Sequence, residues 1–132
     1  MQTLHSDLIS AAIEAREHAY ARYSGFSVGA AIIDEHGRMH VGCNVENAAY
    51  PLGSCAEAGA IAAMVQEGGK RIVTIAVAGG KGSLGSCTPC GGCRQRISEF
   101  ADESTVILAI DDSGEWREFA MADLLPASFH LP

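Results

Sequence analysis

Apolar residues along this chain recur with two different periods. Leu4, Leu8, Ala11, Ala12, Ala15 and Ala19 fall at helical spacing with Glu14, Arg16 and Glu17 opposite, which predicts an amphipathic helix over residues 6–20. Tyr23-Ser24-Gly25 ends that pattern. Residues 27–34 and 38–45 read as two strands joined by the tight turn Glu35-His36-Gly37, a hairpin. Residues 47–54 read as loop, and a second helix is predicted over 56–66, stopped by Gly68-Gly69. A strand over 71–78 is almost continuously apolar, the mark of burial on both faces. A glycine-rich loop over 79–85 leads to a third helix over 89–100. A strand over 105–111, the turn Asp112-Ser113-Gly114, a short strand over 116–119 and a turn or two of helix over 121–125 complete the chain. Strand, helix and strand across the third helix predict a right-handed parallel crossover. The expected class is α/β, with one mixed sheet of about five strands and helices on its faces.

With 132 residues and no repeat, linker or low-complexity stretch, a single domain spanning 1–132 is expected. Hydrophobic residues make up 48% of the chain and mean hydropathy is +0.12, apolar for so small a domain. That surplus suggests surface covered between subunits. The net charge of −7 disfavours a polynucleotide ligand, which would call for a basic groove, and favours a small substrate. The N-terminus lacks a basic stretch followed by an apolar core, so no signal peptide is expected. The apolar run over 72–80 is too short to span a bilayer, and no membrane association is expected. These features predict a cytoplasmic, reducing setting, where five cysteines point to metal ligation or free thiols before disulfides.

The cysteines carry the chemistry. Cys55-Ala56-Glu57 is followed some thirty residues later by Pro89-Cys90-Gly91-Gly92-Cys93. Thiolates suit Zn²⁺, and three protein ligands, Cys55, Cys90 and Cys93, leave the fourth tetrahedral position for water, as in a catalytic site. Glu57 then becomes the candidate acid/base that moves the water's proton. Pro89 fits the first position of a helix, which would set Cys90 and Cys93 on one face of its first turn. Cys55 and Glu57 are two apart and share no helix face, so they can converge only at a helix tip. The picture is two helix N-termini aimed at one ion. Zn²⁺ with three thiolates carries one net negative charge, ionising the water adds another, and two helix N-termini offset about one unit. Helix tips also lower thiol pKa values, which metal binding requires.

Other readings of these residues exist. Cys87, Cys90 and Cys93 form Cys-x2-Cys-x2-Cys, similar to part of an iron–sulfur run, and with Cys55 they could close a four-thiolate zinc site. Cys87 precedes Pro89 and lies outside the predicted helix, and no Cys-Pro follows at ferredoxin spacing, which argues against both. Glu57 could simply complement the helix dipole. Cys43 reads as a packed thiol, and His5, His18, His36, His40 and His130 occupy ordinary helix, turn, strand or tail positions. Asn44 and Glu46 end the second strand on one face, where a polar strand end is the simpler reading. Phe26, taken alone, reads as core.

Together these residues resemble the small, homotetrameric, zinc-dependent cytidine deaminases, over about residues 26–129. The resemblance implies a three-layer cytidine-deaminase-like fold, one Zn²⁺ per subunit held by Cys55, Cys90 and Cys93, and Glu57 as catalytic residue. It implies that Asn44 and Glu46 bind the ribose 3′-hydroxyl, that Phe26 packs against the base, and that the backbone N–H of Ala56 contacts the base carbonyl. The tail Leu124-Leu125-Pro126-Ala127-Ser128-Phe129 is similar to the family's C-terminal motif, which implies that Phe129 stacks on a base bound by a neighbouring subunit. Ala48 and Tyr50 match positions that also reach a neighbour's site. Phe129 could equally close the core of its own subunit, and Gln95 reads as a group behind the ligands rather than a ligand. The implied assembly is a homotetramer with sites at subunit interfaces. One departure stands out: many relatives carry arginine after the glutamate, bonded to the thiolates, where this chain has Ala58. Arg94, another group, or the helix tips must then offset the charge.

The implied function is that of a hydrolase in pyrimidine salvage, converting cytidine and deoxycytidine to uridine and deoxyuridine with release of ammonia. Three alternatives stay open: a same-fold deaminase of a nucleoside-like antibiotic such as blasticidin S, a polynucleotide deaminase, and a non-catalytic zinc-binding module. Asn44 and Glu46 argue against the first, the acidic charge against the second, and Glu57 beside an open metal position against the third.

Overall fold

Helix α1, Thr3–Arg16, packs on one face of a five-stranded sheet, while α2, Ala56–Gln66, α3, Gly91–Glu99, and α4, Met121–Leu124, lie on the other. The computed structural model describes residues 3–132, with side chains from His5 onward, so the Leu4 side chain of the predicted stripe lies outside what is described. The strands are β1, Phe26–Asp34, β2, Met39–Cys43, β3, Ile72–Lys81, β4, Val106–Ile110, and β5, Trp116–Ala120, in the order β2-β1-β3-β4-β5. Only β3 and β4 run parallel, joined through α3; the other neighbours are antiparallel. The expected mixed sheet and three layers are therefore present. No helix among the described residues is long and apolar enough to cross a membrane.

The central strands explain why β3 reads as continuously apolar. Ile75 and Val77 point to the layer of α2 and α3, and Ala76 and Ala78 to that of α1. Alternate side chains leave opposite faces of a strand, so a strand covered on both sides has no polar face. β1 does the same, with Ala30 and Ile32 on one side and Ala31 and Ile33 on the other.

Three departures from expectation have local causes. Helix α1 ends at Arg16 rather than 20, and Glu17, His18 and Ala19 continue as tight turns. Arg16, assigned above to the polar face, is 9% exposed. Its guanidinium donates to the carbonyls of Ser27 (3.1 Å), Gly80 (2.9 Å) and Gly82 (2.6 Å), which makes burial tolerable. Second, Gly79 and Gly80 belong to β3 rather than to a loop, because their backbones pair with Val28 and Ser27 of β1. A Cβ on Gly79 would lie 2.5 Å from Cys87 Sγ and one on Gly80 2.0 Å from the Ser83 carbonyl, so the glycines serve close approach here. Third, β2 stops at Cys43, and Val45 instead bridges to Tyr20 and Ser54.

The hairpin between β1 and β2 is locked by a buried carboxylate. Asp34, 1% exposed, accepts the backbone N–H groups of His36 (2.8 Å) and Arg38 (3.0 Å) and the Nε–H of Arg38 (3.3 Å), and His40 Nε2 lies 2.8 Å away. Burial alone would raise its pKa, but the His40 bond, the two amides and the Arg38 charge hold it well below the usual carboxylate range. A group depressed in the folded state stabilises the fold above its ordinary pKa of about 4 and loses that contribution as pH falls toward the folded value. Asp34→Ala is expected to cost about 3 kcal/mol in urea unfolding at neutral pH. The gap between variant and parent should narrow on acidification below about pH 4. An equal stability of the two proteins at neutral pH would refute this account.

Candidate active site

Two helix N-termini meet at one end of the sheet. Cys55 is the cap residue of α2, with extended backbone (φ −77°, ψ 156°), and Cys90 is the cap residue of α3 (φ −66°, ψ 166°). Neither side chain caps its own helix, so both sulfurs are left for another partner. Cys93 is the third residue of α3 and fully buried. The register of α3 differs from expectation: Pro89 lies before the cap rather than inside the helix, and Cys90 and Cys93 occupy the cap and third positions. A cap side chain lies beside the third residue of its helix, so the two sulfurs still face one point.

Packing sets where these tips sit. Gly42 of β2 lies against α2 so closely that a Cβ there would stand 2.4 Å from Ala60 N and 2.6 Å from Ala56 O. Arg94 ties the start of α3 to its surroundings, donating to the carbonyls of Pro89 (2.7 Å) and Leu124 (2.9 Å) and to Thr88 Oγ1 (3.1 Å). The Sγ atoms of Cys55, Cys90 and Cys93 all lie within 4.8 Å of one another. Zinc–sulfur bonds of about 2.3 Å in a tetrahedron place sulfurs about 3.8 Å apart, so the cluster fits one shared ion. Cys87 is outside this group, and its backbone N–H bonds to Ile110 O (3.0 Å). The four-thiolate reading therefore loses its fourth ligand. Three soft donors with no fourth protein ligand grouped with them among the described residues fit a zinc site of the open kind.

The electrostatics agree with that donor set. Burial, then the charges of Glu57 and of the other two cysteines, push the Cys93 thiol up. Burial likewise dominates at Cys55 and raises it, whereas for Cys90 the hydrogen bonds from Cys93 and Cys55 outweigh burial and lower it. A divalent ion relieves this crowding of sulfurs, and metal binding then drives the thiols to thiolates. Glu57, the second residue of α2, is 4% exposed. Burial raises its pKa, against the pull of its own backbone N–H, the Arg96 charge and a hydrogen bond with Cys93.

A cavity of about 410 Å³ opens in front of the cluster. Phe26, Asn44, Glu46, Tyr50, Ala56 and Glu57 line it together with Cys55 and Cys90. A second cavity of about 400 Å³ adjoins it and shares Ser24, Glu46, Tyr50 and Gly53. Asn44 Oδ1 accepts the N–H of Val28 (2.8 Å) and its Nδ2 donates to Phe26 O (2.9 Å). Glu46 accepts the N–H groups of Tyr23 (2.8 Å) and Ser24 (3.0 Å) and the Ser24 hydroxyl. That Ser24 hydroxyl bond, followed by the backbone amides, holds the Glu46 carboxyl below its ordinary pKa. Ala48 is exposed and outside both cavities. Phe129 is 67% exposed and also outside them, its carbonyl accepting a bond from Gln95 Nε2 (3.1 Å). Sequence reasoning missed Ser24, Val28, Cys87 and Thr88 as cavity residues, and Arg96 beside the sulfurs. For Arg96 a signal existed, since it stands three residues after Cys93, on the same helix face.

Comparison with known proteins agrees with this geometry. A family model described as the cytidine and deoxycytidylate deaminase zinc-binding region matches residues 2–109. A cytidine deaminase of Sporosarcina psychrophila is 40% identical over 122 residues, covering 92% of this chain and 88% of the relative. The crystal structure of cytidine deaminase from Burkholderia pseudomallei superposes with a TM-score of 0.85 at 40% identity, covering 98% of this chain and 100% of that one. That of the Mycobacterium tuberculosis enzyme gives a TM-score of 0.84 at 37% identity over 98% and 100%. The three-sulfur cluster at two helix tips, the mixed sheet behind it and these matches across nearly the whole chain place the protein in the zinc-dependent cytidine and deoxycytidylate deaminase family.

Proposed function

We propose that this protein hydrolyses cytidine and deoxycytidine to uridine and deoxyuridine, releasing ammonia, and that residues 1–132 act as a single domain. One observation carries the reading: a buried carboxyl, Glu57, lines a nucleoside-sized cavity with Cys55 and Cys90, two of three clustered sulfurs able to hold zinc. Zinc, when bound by Cys55, Cys90 and Cys93, supplies a Lewis acid that makes water a nucleophile near neutral pH.

The chain's own residues supply the rest. Glu57 accepts a proton from the attacking water and delivers it to ring N3 as oxygen bonds to C4. It then assists proton delivery to the amine, so the C4–N bond breaks and ammonia departs. Burial has already moved its pKa toward neutrality, which suits a group that must both take and give a proton. Phe26 packs on the base, and the N–H of Ala56, first residue of α2, meets the base carbonyl. Asn44 and Glu46 hold the ribose 3′-hydroxyl. Each has bonds to the chain already, yet an amide oxygen, an NH₂ and a carboxylate all keep spare hydrogen-bonding capacity. Those existing bonds pre-set the two side chains, so less freedom is lost when a sugar arrives. Held at both base and sugar, the ring presents C4 in attack geometry.

The exposed positions of Tyr50, Ala48 and Phe129 suit a homotetramer in which they complete a neighbour's site. A cytoplasmic role in pyrimidine salvage follows from the same reading. The test is a panel of cytidine, deoxycytidine, free cytosine, blasticidin S and an oligonucleotide, followed by ultraviolet absorbance and ammonia release. The two nucleosides should be the substrates. No ammonia from cytidine, or faster turnover of blasticidin S, would overturn the reading.

A further inference from the structure

The cluster gathers more negative charge than the two helix tips offset. With zinc bound, the thiolates and ion sum to one negative charge, and an ionised Glu57 adds a second. Two helix N-termini supply about one positive unit between them. Position 58 is alanine and Arg94 is committed to Pro89 O, Leu124 O and Thr88 Oγ1. Among the described residues, Arg96 is the cation that donates to a cluster sulfur, its Nη1 lying 3.5 Å from Cys93 Sγ.

The orientation of Arg96 is specific. An arginine in the last turn of a helix ordinarily complements the carbonyls at the C-terminus. Here the guanidinium folds the other way, back over the first turn. Its Nη1 lies so near Gly92 that a Cβ on that residue would stand 3.3 Å from it. Gly92 thus leaves the groove along which the guanidinium reaches the sulfur. The cationic head thus reaches Cys93 Sγ from within the same helix, although Arg96 as a whole is exposed.

We propose that Arg96 is a positioning residue of the metal centre, neutralising the Cys93 thiolate and thereby setting the cluster's affinity for zinc. It rests on the zinc site of the proposed function, and it assigns to α3 the charge that Ala58 of α2 does not provide. The physical reason is the sign of the reaction. Three neutral thiols become an anionic complex when zinc binds, so a fixed cation favours the bound state over the free one.

The test is zinc affinity of the full chain, measured by competition with a chromogenic chelator, for the parent, Arg96→Gln and Arg96→Lys. Arg96→Gln should bind zinc at least about 10-fold more weakly, the usual loss on removing a group behind a metal ligand. Arg96→Lys should keep most of the affinity, because charge is the operative property. The zinc-free proteins should melt together, since Arg96 is exposed. Arg96→Gln within about threefold of the parent, a lysine variant as weak as the glutamine one, or a matching loss of zinc-free stability would each overturn the proposal. A parent that binds no zinc would instead overturn the proposed function itself.

Discussion

Glu57→Gln is expected to lower the turnover number for cytidine by about 10⁴-fold, the upper end of what a positioned acid/base contributes, while zinc content and melting temperature stay at the parent's values. The substitution keeps the size and shape of the side chain and removes only the ability to carry a proton. Because Glu57 is nearly sealed from solvent, bulk water cannot take over its task easily. Replacing a buried carboxyl by a neutral amide also removes a desolvation cost, so the fold should not suffer. The measurement is steady-state absorbance with parallel metal analysis. Near-normal turnover in a zinc-loaded variant would show that Glu57 does not serve as the proton carrier.

The second large effect concerns the ligands. Cys93→Ser should lose stoichiometric zinc and with it all measurable turnover, whereas Cys87→Ser should keep the full metal content. Apparent zinc-binding energies of four-ligand sites imply about 3 kcal/mol per ligand, or more than 100-fold in affinity. Cys93 is also buried at the third position of α3, where no water-exposed substitute can reach the ion. Added zinc should raise the melting temperature of the parent and of Cys87→Ser by mass action, and leave Cys93→Ser unmoved. A Cys87→Ser protein that fails to bind zinc would revive the four-sulfur arrangement. A Cys93→Ser protein that retains it would displace Cys93 from the site.

Cys87 illustrates how much depends on surroundings. It lines the cavity and its thiol is pushed up to about 11, first by burial and then by the Glu57 charge. Three residues further on, burial would raise Cys90 too, but the backbone N–H of Cys93 and the hydrogen bonds with the Cys93 and Cys55 sulfurs outweigh it and lower the thiol. Titration does not separate Cys87 from the ligands, since Cys93 is pushed up as well; place does, because the three ligand sulfurs lie within 4.8 Å of one another and Cys87 is outside that group.

Most of the fold could be read along the chain. The α2 boundaries at 56 and 66 coincide with expectation, and all five strands occur near their predicted places. These elements rest on local signals: apolar periodicity, the alanine-rich run of α2, and the glycine pair that follows it. The candidate ligands were legible for a different reason, since few chemistries require three cysteines and a glutamate at these spacings. Other features left no local trace. Arg16 looks like any surface arginine until β1, β3 and the turn just after β3 bring three carbonyls to its guanidinium. Gly79 and Gly80 look like loop until β1 pairs with them. Asn44 and Glu46 look like a solvated strand end until the turn at 23–24 and the start of β1 fold against them.

Taken alone, the order of residues determined the elements, the class of sheet and the zinc-type donor set, because these follow from local periodicity, from the succession of elements and from residue types in recognisable short motifs. The tertiary structure brought the three sulfurs of the two anticipated helix tips within 4.8 Å of one another, and it alone decided that a cavity of nucleoside size opens before them and that Arg96 rather than Arg94 reaches a sulfur. Those outcomes depend on distances between segments far apart in sequence. Such distances are set by close approaches such as Gly42 against α2, which no local period records.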